Sequence, residues 1–248
     1  MGVKQHAFAR DDRVVEALCR ATRARCGLSL GAKCATHERM SVDAVIFDLG
    51  GVVLDSPLAV FIEYEQDLGI PPKTINRHIS VAGAASAWSK LERGELSMSE
   101  FYAAFDSEMA AHGLAVSGAA IMERLSNRTA VRPQAVDAIR RLRAAGRKVA
   151  ALTNNWVNTD QSSKMDVLRV EFDVFIESTV VGLRKPDPRI YQLVCHQLGV
   201  EPAQAAFLDD IGANLKAARE LGMATIKVVS LPDALRELSE LTGVELIA

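Results

Sequence analysis

One apolar segment of the chain ends in a single carboxylate that is followed by two glycines. The apolar residues are 44–47, Asp48 follows them, and the glycines are Gly50 and Gly51. A carboxylate at the end of a buried strand lies where open α/β sheets bind their ligands, and glycines let the backbone approach a bound group closely. Such a carboxylate can attack phosphorus and form an aspartyl phosphate.

Three later segments carry polar residues whose chemistry complements that carboxylate. Thr153 and Asn154 offer a hydroxyl and an amide, both of which can hydrogen-bond to phosphoryl oxygens. Lys185 offers a positive charge that can offset negative charge on a nucleophile and on a transferring group. Asp209 and Asp210 form a carboxylate pair, which with the first carboxylate suits Mg²⁺, a hard cation that prefers oxygen ligands.

The elements that must position these residues are five short apolar segments, each predicted to be a buried strand. Helical patterns lie between most of them, which predicts a doubly wound, Rossmann-like parallel α/β sheet with helices on both faces. In such a sheet the four polar segments converge at the carboxyl edge. The predicted strands are Ala44–Phe47, Lys148–Leu152, Val174–Glu177, Ala205–Leu208 and Ala224–Val229.

Three helices of this sheet carry clear sequence signals. One is predicted over residues 134–145, and another over residues 214–221. Between them, Asp187 and Pro188 give the N-cap and first position of a third helix, which Gly199 ends.

The stretch between the first two strands contains helical patterns alone. Ser97 and Glu100 form a capping box that opens one of these helices. About 70 helical residues exceed an ordinary crossover, which predicts a helical cap over the carboxyl edge. The predicted organisation is therefore a poorly ordered extension over 1–39, a Rossmann-like catalytic core over 40–56 and 129–248, and an all-helical cap over 57–128.

Composition excludes several classes of function. The 248 residues are 49% apolar and 24% charged, and the net charge of −2 gives no nucleic-acid signature. No apolar stretch approaches the roughly 20 residues of a membrane span. The four cysteines form no C-x-x-C pair, which is typical of reduced thiols and predicts a cytoplasmic protein.

Residues 1–39 differ in charge from the rest of the chain. They hold eight lysines or arginines against four acidic residues and contain no apolar region typical of a secretion signal. A helix is expected over residues 11–25. Met40 is an alternative natural start, because the folded pattern begins a few residues later.

These motifs, in this order, resemble those of the haloacid dehalogenase-like hydrolase superfamily, most of whose members are Mg²⁺-dependent phosphohydrolases. Within it, the resemblance is strongest to the N-terminal phosphatase domain of soluble epoxide hydrolase and to the related domain fused to acyl-CoA dehydrogenase-like proteins. The stretches that carry this similarity are 172–178, 185–191 and 207–216. The resemblance implies a small phosphorylated metabolite as substrate and Mg²⁺ as cofactor.

The resemblance also implies a role for each motif residue. Asp48 would be the nucleophile and a metal ligand, and the Gly50 backbone carbonyl a second ligand. Thr153 and Asn154 would hold the phosphate, and Lys185 would bridge the nucleophile and the phosphate. The last motif would complete the metal site: Asp210 binds Mg²⁺ directly or through water, with Asp209 beside it.

Gly50 departs from the superfamily pattern. Most of its phosphatases carry a second Asp there, which protonates the leaving oxygen and then activates water. General acid–base help of this kind is worth about 10²- to 10⁴-fold. Its absence favours substrates with a good leaving group, such as an acyl phosphate or a sugar 1-phosphate, or slow turnover. Asp55 is a possible substitute, although helix capping together with Ser56 is the more ordinary role for it.

Two other functions stay open from the sequence. In a dehalogenase the carboxylate attacks carbon without a metal, but the Asp209–Asp210 pair disfavours it. A phosphate-binding regulatory module with little turnover is the second, and Gly50 supports it. Beyond the motifs, Trp88 is interpreted as core and Arg93 as a surface residue, each with substrate contact as the alternative. Trp156 is a candidate for lining the pocket, and the oligomeric state is left open.

Overall fold

The sheet forms because five short segments are apolar on both sides of the strand, and only helices on both faces can bury them. The computed structural model describes residues 42–127, 130–156 and 162–247. Its five strands form one parallel sheet in the order β3-β2-β1-β4-β5, so the predicted doubly wound α/β fold is confirmed. The strands are β1 (Ala44–Phe47), β2 (Lys148–Thr153), β3 (Val174–Glu177), β4 (Ala205–Asp209) and β5 (Ala224–Lys227).

The strands differ from the prediction only at their carboxyl ends. β2 includes Thr153 because this residue pairs with Glu177 of β3, and β4 includes Asp209 because it pairs with Lys227 of β5. β5 ends at Lys227, two residues before the predicted end, since β4 offers no partner beyond Asp209. Two of the predicted site residues are therefore fixed by the ladder itself.

Eleven α-helices lie within the described residues. They are α1 (Pro57–Asp67), α2 (Thr74–Ala82), α3 (Ala87–Glu92), α4 (Met98–Ala110), α5 (Gly118–Asn127), α6 (Pro133–Ala144), α7 (Ser162–Arg169), α8 (Ser178–Val181), α9 (Pro188–Leu198), α10 (Gly212–Glu220) and α11 (Leu231–Thr242).

Alternate residues of each strand feed two separate apolar layers. Val45 and Phe47 of β1 belong to a core cluster shared with α6 and α11. Ala44 and Ile46 belong to a second cluster, shared with α9 and α10 on the other face. This alternation follows from the two-residue period of a strand. It places helices on both faces and leaves the strand ends free to carry polar side chains.

The helix ends follow the predicted caps with one informative difference. The Asp187 side chain accepts a hydrogen bond from the backbone N–H of Arg189 at 3.0 Å and caps α9, as predicted. α10 begins at Gly212, two residues before the prediction. Oδ1 of Asp209 accepts the backbone N–H of Ile211, the residue just before this helix, at 2.7 Å.

The helices between β1 and β2 share an apolar cluster of their own. Phe101 and Phe105 of α4 are buried in it, and Trp88 of α3 packs edge-on against both rings. The predicted capping box is present, with Ser97 and Glu100 bonding to each other's backbone N–H groups. The prediction that the described residues of this stretch are helical is confirmed.

The helix expected over residues 11–25 and three of the four cysteines lie outside the described residues. The fourth, Cys195, is a buried free thiol in α9. Within the described ranges, no helix combines the length and apolar character needed to cross a membrane.

Candidate functional site

The candidate site lies where the carboxyl ends of three neighbouring strands meet. Phe47, the last residue of β1, is in register with Ala151 of β2 and with Leu208 of β4. Asp48 therefore leaves the sheet between Thr153, at the end of β2, and Asp209, at the end of β4. The structure brings these predicted residues to one edge because parallel strands end on the same side.

A buried ion-pair bridge joins two of the three predicted carboxylates. The Nζ atom of Lys185 lies 2.8 Å from Oδ1 of Asp48 and 2.8 Å from Oδ2 of Asp209. The lysine side chain is only 1% exposed. A buried ammonium needs charged partners because burial removes its hydration, and here two carboxylates supply them. The bridge therefore holds Lys185, the predicted catalytic lysine, beside Asp48, the predicted nucleophile.

The environment shifts the pKa of both partners of this bridge. Burial raises the pKa of Asp48 well above its usual value, and the negative charges of Asp209 and Asp210 raise it further, against the opposing effect of Lys185. For Lys185, burial lowers the pKa, but the two carboxylates outweigh burial and the net pKa is raised. Lys185 is therefore a permanent cation at neutral pH.

The two oxygens of Asp48 differ in their surroundings. Oδ1 accepts hydrogen bonds from Lys185 and from the backbone N–H of Leu49, the latter at 2.7 Å. In the part of the chain that the structure describes, Oδ2 has no hydrogen-bond donor. The carboxylate is thus held through one oxygen, and the other is left to react or to bind a cation.

Asp209 is fully engaged by protein donors. Oδ2 accepts from Lys185 and from Nδ2 of Asn214, the latter at 3.0 Å, while Oδ1 accepts from Ile211. The sequence places Asn214 within the motif over 207–216 and assigns no role to it. Its hydrogen bond to Asp209 orients that carboxylate. The signal that could have identified Asn214 is its position in the first turn of the helix that follows the carboxylate pair.

Asp210 is positioned by a hydroxyl and by a glycine. Oδ2 of Asp210 accepts a hydrogen bond from Ser56 at 3.2 Å, and Ser56 also caps α1 by accepting the N–H of Leu58. Gly51, with φ of +78°, passes directly beside this carboxylate. Burial and the charge of Asp209 raise the pKa of Asp210. Ser56 therefore joins a helix cap to the site, a link that sequence reasoning missed.

The three carboxylates fit a divalent cation. One oxygen from each of Asp48, Asp209 and Asp210 lies within 4.8 Å of the other two. Three carboxylates face a single lysine, so negative charge is in excess; burial is the main cause of the raised pKa values of Asp48 and Asp210, and repulsion between the carboxylates adds to it. Oxygen ligands suit Mg²⁺, which binds one or two carboxylates directly and reaches further ones through the waters that it keeps.

Thr153 and Asn154, the two residues predicted to hold phosphate, lie in different surroundings. Thr153 is a buried residue at the end of β2. The Asn154 side chain instead makes a reciprocal pair of hydrogen bonds with Lys185: Nδ2 donates to the lysine carbonyl at 3.1 Å, and Oδ1 accepts the lysine N–H at 2.8 Å. The amide of Asn154 thus binds the backbone of Lys185.

The backbone at Gly50 does not require glycine. Its φ lies outside the left-handed region, and among the described residues a Cβ added there would meet Pro57 alone, at 3.4 Å. A Cβ atom at this position therefore has room. Asp55, weighed as a substitute acid, is about half exposed, and its carboxylate lies 3.5 Å from Nε of Arg132.

Trp88, Trp156 and Arg93, the other residues considered for contact with a substrate, also have defined surroundings. Trp88 is 6% exposed, which agrees with the core interpretation. Trp156 packs against it, with ring centroids 5.7 Å apart. Arg93 donates hydrogen bonds to Glu95 and to the carbonyl of Ala84, as a structural arginine does.

Comparisons with known proteins agree with this geometry. Residues 42–222 match the profile of a family described as haloacid dehalogenase-like hydrolase. The chain is 38% identical to mouse acyl-CoA dehydrogenase family member 10, over 82% of this chain and 19% of that protein. It is 34% identical to pig bifunctional epoxide hydrolase 2, over 84% of this chain and 40% of that protein. The chain thus spans less than half the length of these two relatives.

Two further proteins match over nearly their whole length. A sesquiterpene phosphatase of Aspergillus oryzae is 27% identical, over 81% of this chain and 96% of the relative. A Bacteroides thetaiotaomicron enzyme, whose crystal structure holds magnesium and inorganic phosphate, superposes with a TM-score of 0.52 at 21% identity, over 75% of this chain and 94% of the enzyme. The profile match spans most of the chain, so this protein belongs to the haloacid dehalogenase-like hydrolase family.

Proposed function

We propose that the protein is a Mg²⁺-dependent phosphohydrolase that acts on a small phosphorylated metabolite through an aspartyl phosphate on Asp48. The observation that carries the proposal is the bridge from Lys185 to Asp48 and Asp209, with Nζ 2.8 Å from each carboxylate. This bridge holds a nucleophilic carboxylate beside a fixed positive charge. A phosphatase among the relatives supports the same chemistry.

In the first half of the reaction, Oδ2 of Asp48 attacks phosphorus in line with the leaving oxygen. Lys185 stays protonated and offsets charge on the equatorial phosphoryl oxygens, which is worth more in a buried site than in water. The Thr153 hydroxyl donates to one of these oxygens. The P–O bond to the leaving group breaks as the bond from Asp48 to phosphorus forms.

In the second half, water attacks phosphorus of the aspartyl phosphate and the bond from phosphorus to Oδ2 of Asp48 breaks. The Asp48 carboxylate is restored, one proton of the attacking water passes to solvent, and the other leaves with inorganic phosphate. The carboxylates of Asp48, Asp209 and Asp210 would hold Mg²⁺, with the Gly50 carbonyl as a further ligand. When bound, Mg²⁺ supplies charge neutralisation for the approach of an anionic nucleophile to an anionic phosphate.

The substrate class follows from Gly50. This glycine supplies no proton to the leaving oxygen, so the leaving group must depart as a stable anion. Acyl phosphates and sugar 1-phosphates meet that requirement better than simple alkyl phosphates. The missing acid–base help corresponds to about 10²- to 10⁴-fold in rate.

We also propose that residues 57–128 form a cap over a catalytic core of 40–56 and 129–248. Five helices and an apolar cluster of their own support the cap. We place the protein in the cytoplasm, which the free thiol of Cys195 supports.

The test is hydrolysis of acetyl phosphate, p-nitrophenyl phosphate and an alkyl phosphate, with Mg²⁺ and with EDTA. We expect activity to require Mg²⁺, to be highest on acetyl phosphate and to vanish in Asp48→Asn. Activity that is equal in wild type and Asp48→Asn, or unaffected by EDTA, would contradict the proposal.

The second candidate is a phosphate-binding module with little turnover, which Gly50 favours. Its signature is stoichiometric binding of inorganic phosphate or a phosphate ester, with no release of product over hours. The dehalogenase alternative is disfavoured by the three clustered carboxylates. Release of halide from a 2-haloacid in EDTA would restore it.

A further inference from the structure

A nearly buried ion pair joins helix α3 to the residue that precedes the catalytic lysine. Nε of Arg184 donates to Oε2 of Glu92 at 2.6 Å, and the two side chains are 21% and 9% exposed. The other carboxylate oxygen, Oε1, accepts the indole N–H of Trp88 at 3.1 Å. Both oxygens of Glu92 are thus engaged, one from its own helix and one from the loop that carries Lys185.

The part of helix α3 that carries Trp88 and Glu92, together with the residues just after it, also contacts the loops beside the site. Trp88 packs against Trp156, which lies three residues beyond Thr153. At the end of the turn, a Cβ added to Gly94 would lie 2.8 Å from the backbone oxygen of Thr179, so the backbones approach closely there. The segment from 88 to 94 therefore touches the chain after β2, after β3 and just before Lys185.

The charge of Glu92 is not needed for packing alone. Burying a carboxylate costs free energy unless it is paired, and an apolar residue of similar size often serves packing equally well. The buried pair is well placed instead to fix geometry. Arg184 is bonded covalently to Lys185, whose backbone N–H and carbonyl are already held by Asn154.

We propose that Glu92 is a positioning residue that, through its ion pair with Arg184, holds Lys185 at the distance it needs from Asp48. The inference deepens the proposed phosphohydrolase function and rests on it. Since displacement of a catalytic group by about 1 Å can cost about 10²-fold in rate, a partial shift of Lys185 predicts a loss of about tenfold. Such a loss differs from that of a purely structural ion pair, which lowers stability alone.

The experiment is a double-mutant cycle of Glu92→Gln and Arg184→Gln in the full chain. It measures kcat and KM for p-nitrophenyl phosphate, the calorimetric Kd for inorganic phosphate with Mg²⁺, and Tm. We expect each single variant to lower kcat about tenfold and to weaken phosphate binding. The double variant should lose no more than the worse single variant, because both changes break one link.

The matched control is Asp67→Asn, which breaks an exposed ion pair of the same helical stretch with Arg124 at 2.7 Å. It should leave kcat and the phosphate Kd unchanged. The proposal is overturned if kcat and Kd of the Gln variants stay within twofold of wild type while Tm falls, or if the two losses simply multiply. Should a Gln variant not fold, Arg184→Met removes the charge but keeps an unbranched apolar side chain, and unchanged kcat and phosphate Kd in it also overturn the proposal.

Intrinsic fluorescence gives an independent readout of this junction. The protein has two tryptophans, and both lie in it. We expect the emission of Glu92→Gln to shift relative to wild type, and that of Asp67→Asn to stay unchanged. If the wild type binds phosphate but hydrolyses no ester, the proposed function is wrong. The Kd values for inorganic phosphate in the double-mutant cycle still test the role of Glu92 in that case. A wild type that binds no phosphate overturns both.

Discussion

A Cβ atom on Gly51 would lie 2.2 Å from Oδ2 of Asp210, closer than any carbon–oxygen contact allows. Asp210 therefore occupies the space that a side chain at position 51 would fill. The glycine is also held at φ of +78°, a conformation that costs other residues about 1–2 kcal/mol. The backbone and the carboxylate fit together only because this residue has no side chain.

The first prediction concerns Gly51→Ala. The methyl group must displace Asp210, so we expect the Mg²⁺ concentration for half-maximal activity to rise at least tenfold, with a loss of stability of about 1–2 kcal/mol. Gly50→Ala is the matched control, since among the described residues its Cβ meets Pro57 alone, at 3.4 Å. Mg²⁺ titrations and thermal unfolding compare the two. Equal Mg²⁺ requirements in both variants would show that Asp210 does not bind the cation.

The second prediction concerns Gly50→Asp, which supplies the missing acid. Position 50 has room for a Cβ atom and a backbone conformation open to residues other than glycine. We expect kcat on an alkyl phosphate to rise by about 10²-fold, the lower end of general acid catalysis, and kcat on acetyl phosphate to change little. Gly50→Asn has the same shape without the titratable proton and should give no gain. A gain that is equal for Asp and Asn would contradict the acid role.

The third prediction separates two roles for Asn154. If its amide holds the Lys185 backbone, as its reciprocal hydrogen bonds at 3.1 and 2.8 Å indicate, Asn154→Ala leaves buried polar groups without partners. That predicts a stability loss of about 1–3 kcal/mol and a lower kcat. KM for an aryl phosphate should change less than twofold. A large rise in KM with normal stability would instead assign the side chain to the phosphate, as the sequence predicts.

Much of this site could be predicted because its residues stand at strand ends. Asp48, Thr153 and Asp209 each end or follow a short apolar strand, and a parallel sheet brings such positions together without any knowledge of side-chain contacts. The lysine could be named from its motif, although its partners could not. The fold could be predicted for a related reason, because the alternation of strands with helices and the helix caps are local signals in the sequence.

Apart from the contact of Asn214 with Asp209, the main contacts that the sequence did not predict are long-range. Glu92 and Arg184 are 92 residues apart, and Ser56 and Asp210 are 154 apart. No periodicity or spacing in the chain connects such pairs, because each depends on how two elements pack in three dimensions. The same holds for the space at Gly51, which is visible only once Asp210 lies beside it.

The last prediction follows from the raised pKa of Asp48 and Asp210. A carboxyl whose pKa is higher in the folded than in the unfolded state binds more protons when folded, so the free energy of unfolding falls as pH rises through that interval. In EDTA, stability contributed by these groups should therefore fall from the usual carboxyl pKa of about 4 upward. Lys185 adds to this fall only at high pH, because its raised pKa keeps its stabilising contribution intact through neutrality.

Mg²⁺ should reverse this dependence, since it binds the ionised carboxylates of the folded protein alone. We expect the Tm gain on adding Mg²⁺ to be larger at pH 7 than at pH 5. Asp210→Asn should raise Tm in EDTA, because it removes one partly buried charge from an acidic cluster, and should reduce the gain from Mg²⁺. Thermal unfolding of wild type and Asp210→Asn, in EDTA and in Mg²⁺ at both pH values, gives the Tm in EDTA and the Tm gain from Mg²⁺ for each protein. A Tm gain that is independent of pH, or undiminished in Asp210→Asn, would place the bound cation elsewhere.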